Sequence, residues 1–214
     1  MALIINEIFY SIQGESTFAG RACVFVRLTG CNLRCSYCDT HYAYSEGSSM
    51  AVEQVVKKVA AFGCNLVEIT GGEPLLQADT GQLVDMLLEK GFEVLMETNG
   101  SLDISKIDQA CKKIIDIKCP GSGEADQCDL ANLQRMTASD QVKFVISDRQ
   151  DYLYAKNMLV RIPAKVLPGH ILFSPVWGNV SGRELAAWIL EDGLQVRLQL
   201  QLHKIIWPDI ERGV

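Results

Sequence analysis

The chain has 214 residues, 48% of them hydrophobic and 21% charged, which excludes a disordered or fibrous protein and leaves room for one sizeable core. Its net charge of −6 gives no general electrostatic grip on a phosphate backbone or an anionic membrane, so no nucleic-acid and no membrane partner is expected. The first residues, MALIINEIFYSIQGE, lack a basic segment followed by a long apolar run, and no stretch approaches the ~18 apolar residues of a membrane span, so a soluble cytoplasmic protein is expected.

Taken in chain order, residues 22–29 (ACVFVRLT) read as a buried strand that runs into a cysteine-rich loop at 31–40. Apolar periodicity then predicts helix 51–62, strand 66–70, helix 80–90 and strand 93–97, with Gly91 punctuating the last pair. Further along it predicts helix 103–112, strand 113–118, strand 141–146, helix 149–158, strand 170–173, helix 182–190 and strand 195–202. The segment CPGSGEADQC at 119–128 reads as the longest irregular connection. About six βα units follow, hence an α/β fold with a mostly parallel sheet, which an open sheet or a barrel would satisfy. A single domain spanning 1–214 is expected, with no internal repeat.

Cys31, Cys35 and Cys38 form C-x-x-x-C-x-x-C at the end of the first predicted strand. Three thiolates brought together need a soft metal, and an iron–sulfur cube held by only three of them leaves one iron open to an outside ligand. A zinc-stabilised binding module is the rival reading, although neither His41 nor Cys23 has familiar zinc spacing as a fourth ligand. Cys23, Cys64, Cys111, Cys119 and Cys128 are scattered and read as small hydrophobes, with a second metal at Cys119 and Cys128 the alternative. Polar groups recur at predicted strand ends: Thr70-Gly71-Gly72-Glu73-Pro74, Glu97-Thr98-Asn99-Gly100 and Asp116-Ile117-Lys118. The active sites of βα barrels are built at such ends.

The triplet with Tyr37 before its last cysteine resembles the signature of the radical S-adenosylmethionine superfamily, and 70–74 resembles that superfamily's GGEP segment. The resemblance implies an incomplete (partial) TIM-type βα barrel, a [4Fe–4S] cluster on Cys31, Cys35 and Cys38, and S-adenosylmethionine on the open iron. Tyr37 would lie near the adenine, and Gly72 and Glu73 would hold the amino group. Asp116, Ile117 and Lys118 stand where relatives often carry Ser-Pro-Lys, and Ser174, Pro175, Val176 and Trp177 where relatives place a segment under the adenosyl moiety.

EIFYSIQGES, CDT at 38–40, ETNGSL at 97–102, VKFVI at 142–146 and LQLHK at 200–204 narrow the resemblance to the 7-carboxy-7-deazaguanine synthase family of queuosine biosynthesis. That family contracts the ring of 6-carboxy-5,6,7,8-tetrahydropterin with loss of ammonia. By this resemblance Ile12, Gln13 and Gly14 line the pterin site with Glu15 close by, Thr70, His203 and Pro208 belong to the same pocket, and Thr40 contacts Mg2+. Arg27 would meet the substrate carboxylate, for which a guanidinium is well matched; an outward-pointing strand residue is the alternative. His203 likewise reads as a hydrogen-bonded structural histidine. The resemblance further implies an external one-electron donor of flavodoxin or ferredoxin type and a homodimer. A radical-generating activase of another protein shares the cysteine spacing and is the rival within enzymes.

Overall fold

The computed structural model describes residues 2–214. Its elements are β1 (Ala2–Ile12), β2 (Ala22–Leu28), β3 (Ser48–Ala51), α1 (Val52–Ala61), β4 (Leu66–Gly71), α2 (Thr80–Glu89), β5 (Glu93–Thr98) and β6 (Lys112–Asp116). They continue with α3 (Asn132–Arg135), β7 (Gln141–Ile146), α4 (Arg149–Met158), β8 (Ile171–Pro175), α5 (Gly182–Glu191), β9 (Arg197–Leu198) and α6 (Leu202–Ile206). One nine-stranded sheet takes all the strands in the order β3-β1-β2-β4-β5-β6-β7-β8-β9. From β2 onward neighbours are parallel, while β1 pairs antiparallel with both β2 and β3. The sheet does not close on itself, so the α/β fold is an incomplete TIM-type barrel, as the sequence implied.

Helices α1 and α2 cover one half of the sheet, and their valines and leucines at helical spacing pack with Val24, Val26, Val67 and Ile69. Helices α4 and α5 cover the other half through Tyr152, Ala155, Leu185 and Ile189. A smaller cluster is formed by Cys23, Phe25, Leu66, Leu95, Ile114 and Leu172, of which Phe25 lines the cavity described below. No helix of the described residues is long and apolar enough to cross a membrane.

Three departures from the sequence reading have local causes. The helix expected over 103–112 is a single turn at Ile104–Lys106, because the carboxylates of Asp103 and Asp108 accept from the backbone N–H groups of Ser105 and Ala110. Such side-chain bonds offer the backbone an alternative to the helical ladder. The strand expected over 195–202 shrinks to Arg197–Leu198, and Leu202 starts a short helix whose first N–H donates to Gly14 O at 3.0 Å. The N-terminal stretch, given no element above, is the longest strand, and β3 was likewise not foreseen.

Candidate active site

The C-terminal ends of the parallel strands open into a cavity of about 1120 Å³ that reaches from the cysteine loop to the chain's last residues. Ligand pockets of about 300–1,000 Å³ hold one drug-sized molecule. This cavity therefore has room for a nucleoside-sized cofactor and a small heterocycle side by side.

Cys31, Cys35 and Cys38 are free, half-buried thiols on its wall. Their loop is pinned from three sides. Glu73 N donates to Gly30 O at 2.8 Å, Asn99 Nδ2 reaches Cys31 Sγ at 3.8 Å, and Ser36 Oγ donates to Gly121 O at 2.7 Å. The irregular segment after Cys119 thus serves as a clamp, reinforced by Arg34 N donating to Glu124 Oε1 at 2.7 Å. Gly71 has φ 134°, and a Cβ there would meet the backbone of Leu28, with the carbonyl carbon at 2.9 Å. A Cβ on Gly72 would collide with Gly30 O and come within 2.8 Å of Cys31 Cβ, so this glycine pair lets the β4 turn press against the cysteine loop.

A zinc ion would draw its thiolates to roughly 4 Å from one another, given Zn–S bonds of about 2.3 Å. Among the described residues no three His, Cys, Asp or Glu side chains converge tightly enough to hold a single ion. Three free thiols on one loop suit a cluster, which spreads three thiolates over three irons.

The substrate-side residues form an ion network. Arg27 Nε bonds Glu7 Oε1 at 2.8 Å, and Tyr42 Oη donates to the same oxygen at 3.2 Å. Residues Glu7 and Arg27 face each other because the β1–β2 register shifts between Ile5 and Glu7. Arg27 lies inside the cavity, its terminal nitrogens donating to nothing among the described residues, so the outward-facing alternative is corrected. Deeper in, Lys143 Nζ lies 3.0 Å from Glu15 Oε2 and 3.6 Å from Asp116 Oδ2, and it also bonds Glu97. Burial opposes charge on Glu15, but Lys143, His203 and a bond from Gln201 outweigh it and hold the carboxyl below its ordinary value. Burial likewise opposes the Lys143 ammonium, yet Glu15, Glu97 and Asp116 push its pKa well above the usual lysine range.

His203 sits on α6, not on a strand as its sequence context implied, with its ring packed over Gly14 so closely that a Cβ at 14 would collide with Nδ1. Burial lowers its pKa, against the pull of Glu15 and Asp39. At the mouth Thr40 Oγ1 donates to Asp39 Oδ1 at 3.0 Å, and Asp39 pairs with Lys204 at 2.5 Å. The chain end folds over this rim: Trp207, Pro208 and Ile210 line the cavity, while Arg212 pairs with Glu46 at 2.8 Å and stacks 3.9 Å over the Tyr42 ring.

These features match known proteins. The model of the radical SAM superfamily matches residues 25–121, the stretch that carries the thiols, the glycine pair and Asp116-Ile117-Lys118. The 7-carboxy-7-deazaguanine synthase of Koribacter versatilis is 42% identical, over 98% of this chain and 99% of that protein. That of Chlorobaculum tepidum is 44% identical, over 99% and 97%. The chain belongs to the 7-carboxy-7-deazaguanine synthase family. The crystal structure of QueE from Escherichia coli has the same fold, with a TM-score of 0.78 at 22% identity and 94% of each chain covered. Streptococcus suis SuiB bound to S-adenosylmethionine matches at 0.53 and 12% identity, over 79% of this chain and 44% of that one. As a member of this family the chain is a radical S-adenosylmethionine enzyme.

Most of the residues expected for this family's site face the one cavity: Tyr37, Gly72, Asp116, Lys118, Val176 and Trp177 on the cofactor side, and Ile12, Gln13, Gly14, Glu15, Arg27, Thr70, His203 and Pro208 on the substrate side. Cys31, Cys35, Cys38 and Thr40 join them. Ile117 and Ser174 are buried in the body of the fold, and neither they nor Pro175 line the cavity. Glu73 is fully buried, and its carboxylate accepts from Leu75 N, Thr98 Oγ1 and Asn99 N at 2.7–3.0 Å, so its side chain ties β4 to β5. Glu97, one of the strand-end polar groups singled out in the sequence, lines the cavity together with Glu68 and Lys143, which were not foreseen. Glu68 and Lys143 are each the lone charge in an apolar strand of the parallel sheet, which is the signal that could have found them.

Proposed function

We propose that this chain converts 6-carboxy-5,6,7,8-tetrahydropterin to 7-carboxy-7-deazaguanine with loss of ammonia, the radical SAM ring contraction of queuosine biosynthesis. The observation that carries the reading is one cavity lined both by three free thiols and by an Arg27 guanidinium with an unoccupied donor edge. Cys31, Cys35 and Cys38 would hold the [4Fe–4S] cluster, and Tyr37, Gly72, Asp116, Lys118, Val176 and Trp177 surround the space for S-adenosylmethionine. One-electron cleavage of that cofactor and hydrogen abstraction from the substrate are the chemistry this pair supplies when bound.

The protein's own part is placement. Glu7 and Tyr42 fix Arg27, whose free donors would take the substrate carboxylate in paired, charge-assisted hydrogen bonds. Gln13, Glu15, Thr70 and His203 would enclose the ring. Lys143 keeps Glu15 ionised and oriented. Thr40 and Asp39 offer the oxygen donors that a hard cation takes, which supports a Mg2+ ion shared with substrate and water. All strands lie in one sheet, which supports a single domain over 1–214. An external flavodoxin- or ferredoxin-type electron donor, a homodimer and a cytoplasmic location complete the proposal.

The test is anaerobic iron–sulfur reconstitution, then S-adenosylmethionine, Mg2+, dithionite and 6-carboxytetrahydropterin, with products read by mass spectrometry. The product mass of 7-carboxy-7-deazaguanine is expected, with none from Cys35→Ala. Reductive cleavage of S-adenosylmethionine without that product would refute the substrate.

A further inference from the structure

The cavity floor carries four carboxyl groups, from Glu15, Glu68, Glu97 and Asp116, facing the ammonium groups of Lys143 and Lys118. Lys118 pairs with Asp116 at 2.8 Å, and Lys143 reaches Glu15, Glu97 and Asp116. Glu68 has no cation within 4 Å among the described residues. Its Oε2 accepts from Gln13 Nε2, its Oε1 has no partner among them, and the residue is only 4% exposed.

The strand register gives its depth. Arg27 on β2 lies beside Thr70 on β4, and two residues lower Phe25 lies beside Glu68. At about 3.3 Å per residue, the Glu68 layer is roughly 6.6 Å below the Arg27 layer. In a 6-carboxytetrahydropterin the carboxylate is at one end of the bicycle, and the lactam, a ring N–H next to a C=O, is at the other. A molecule anchored by its carboxylate to Arg27 therefore brings that lactam to the level of Glu68.

Resting on the pterin reading above, we propose that Glu68 is a specificity-determining residue of the substrate pocket: Oε1–H donates to the lactam carbonyl, and Oε2 accepts from the lactam N–H. A carboxylic acid and a lactam are complementary in this way, and Gln13 holds the acid by its second acceptor site. The surroundings favour the protonated form. Burial first, then the charges of Glu97 on β5 and Glu15 after β1, push the Glu68 carboxyl well above its ordinary value, against the opposing pull of Lys143 on β7 and the bond from Gln13. Its neighbour on β2, the Cys23 thiol, is kept neutral by burial.

The test is calorimetric titration of the reconstituted holoenzyme, with S-adenosylmethionine bound, by two rigid analogues that share the carboxylate. One is 6-carboxypterin, which keeps the lactam. The other is 2,4-diaminopteridine-6-carboxylate, which presents an amidine edge instead. The wild type should prefer the lactam by on the order of tenfold, the size of a buried hydrogen bond made or mismatched. Glu68→Met should lose that selectivity, whereas Glu68→Gln, which also offers one donor beside one acceptor, should keep the preference. A wild-type preference for the diamino ligand would mean an ionised Glu68 and overturn the inference. So would unchanged selectivity in Glu68→Met, while leaving the pterin pocket standing. If neither ligand bound the wild type, the pterin reading itself would fall; if Glu68→Met did not fold, the wild-type and Glu68→Gln ratios would still decide.

Discussion

Lys143 offers a sharp test of the electrostatics of the cavity floor. Its side chain is 6% exposed and serves three carboxylates, so Lys143→Met leaves Glu15, Glu97 and Asp116 facing one another without their shared cation. Removing one partner of a buried ion pair costs about 3–5 kcal/mol. Glu15 and Glu97 retain 18% and 26% side-chain exposure toward the cavity, which places the cost near the lower end, about 3 kcal/mol. For a chain of this size, with about 2–4 °C per kcal/mol, Tm should fall by about 6–12 °C near neutral pH. The defect should depend on pH. Without the ammonium, the folded-state pKa of Glu15 rises above its unfolded value, and that of Glu97, already raised by burial, rises further. Carboxyls raised in this way favour the folded state only while protonated, so relative stability is lost as pH rises from about 4.5 toward the folded pKa. Thermal unfolding of wild type and variant, followed by circular dichroism at about pH 8 and about pH 5.5, should show a smaller gap at the lower pH. An equal gap at both would mean that Lys143 acts by packing rather than charge, and would refute the reasoning.

Two other perturbations test how the pocket is closed. Gly14→Ala puts a Cβ against the His203 ring and should raise the substrate KM about tenfold, as expected for a displaced positioning group. A double-mutant cycle with His203→Ala should give a coupling of about 1 kcal/mol or more, and additivity would show that the contact does not matter. Arg212→Ala frees the chain end from Glu46 and Tyr42 and so loosens the support of Glu7 and Arg27. Because the Arg212–Glu46 pair is half exposed, Tm should hardly move, while the substrate KM rises about threefold at unchanged kcat. Steady-state kinetics showing the loss in kcat instead would contradict this role.

The parts of this fold that were legible in the sequence are those whose information is local. Helices α1, α2, α4 and α5 follow from apolar periodicity because each buries one stripe against the sheet. The cysteine triplet was legible because three ligands within eight residues share one loop, whatever the rest of the chain does. Residues 103–112 misled because Ile104, Ile107 and Cys111 have helical spacing, while the Asp carboxylates that break the helix act through geometry that periodicity does not register. The N-terminal stretch does not read as a strand because its burial does not alternate cleanly: only Leu3 and Ile5 are buried, and from Asn6 onward polar and apolar residues alike are partly buried or exposed.

The sequence by itself determined the βα succession, the thiol loop at the end of its first predicted strand and the polar turns that follow later strands. Only the tertiary structure decided that Glu68, Glu97 and Lys143 belong to the same site as Gln13 and Glu15, that Glu73 is a brace, and that the chain end closes the mouth. The reason is the way a barrel gathers residues. Which side chains meet inside it depends on strand register and on the inward half of each alternation, and those are set by hydrogen bonds between segments tens of residues apart.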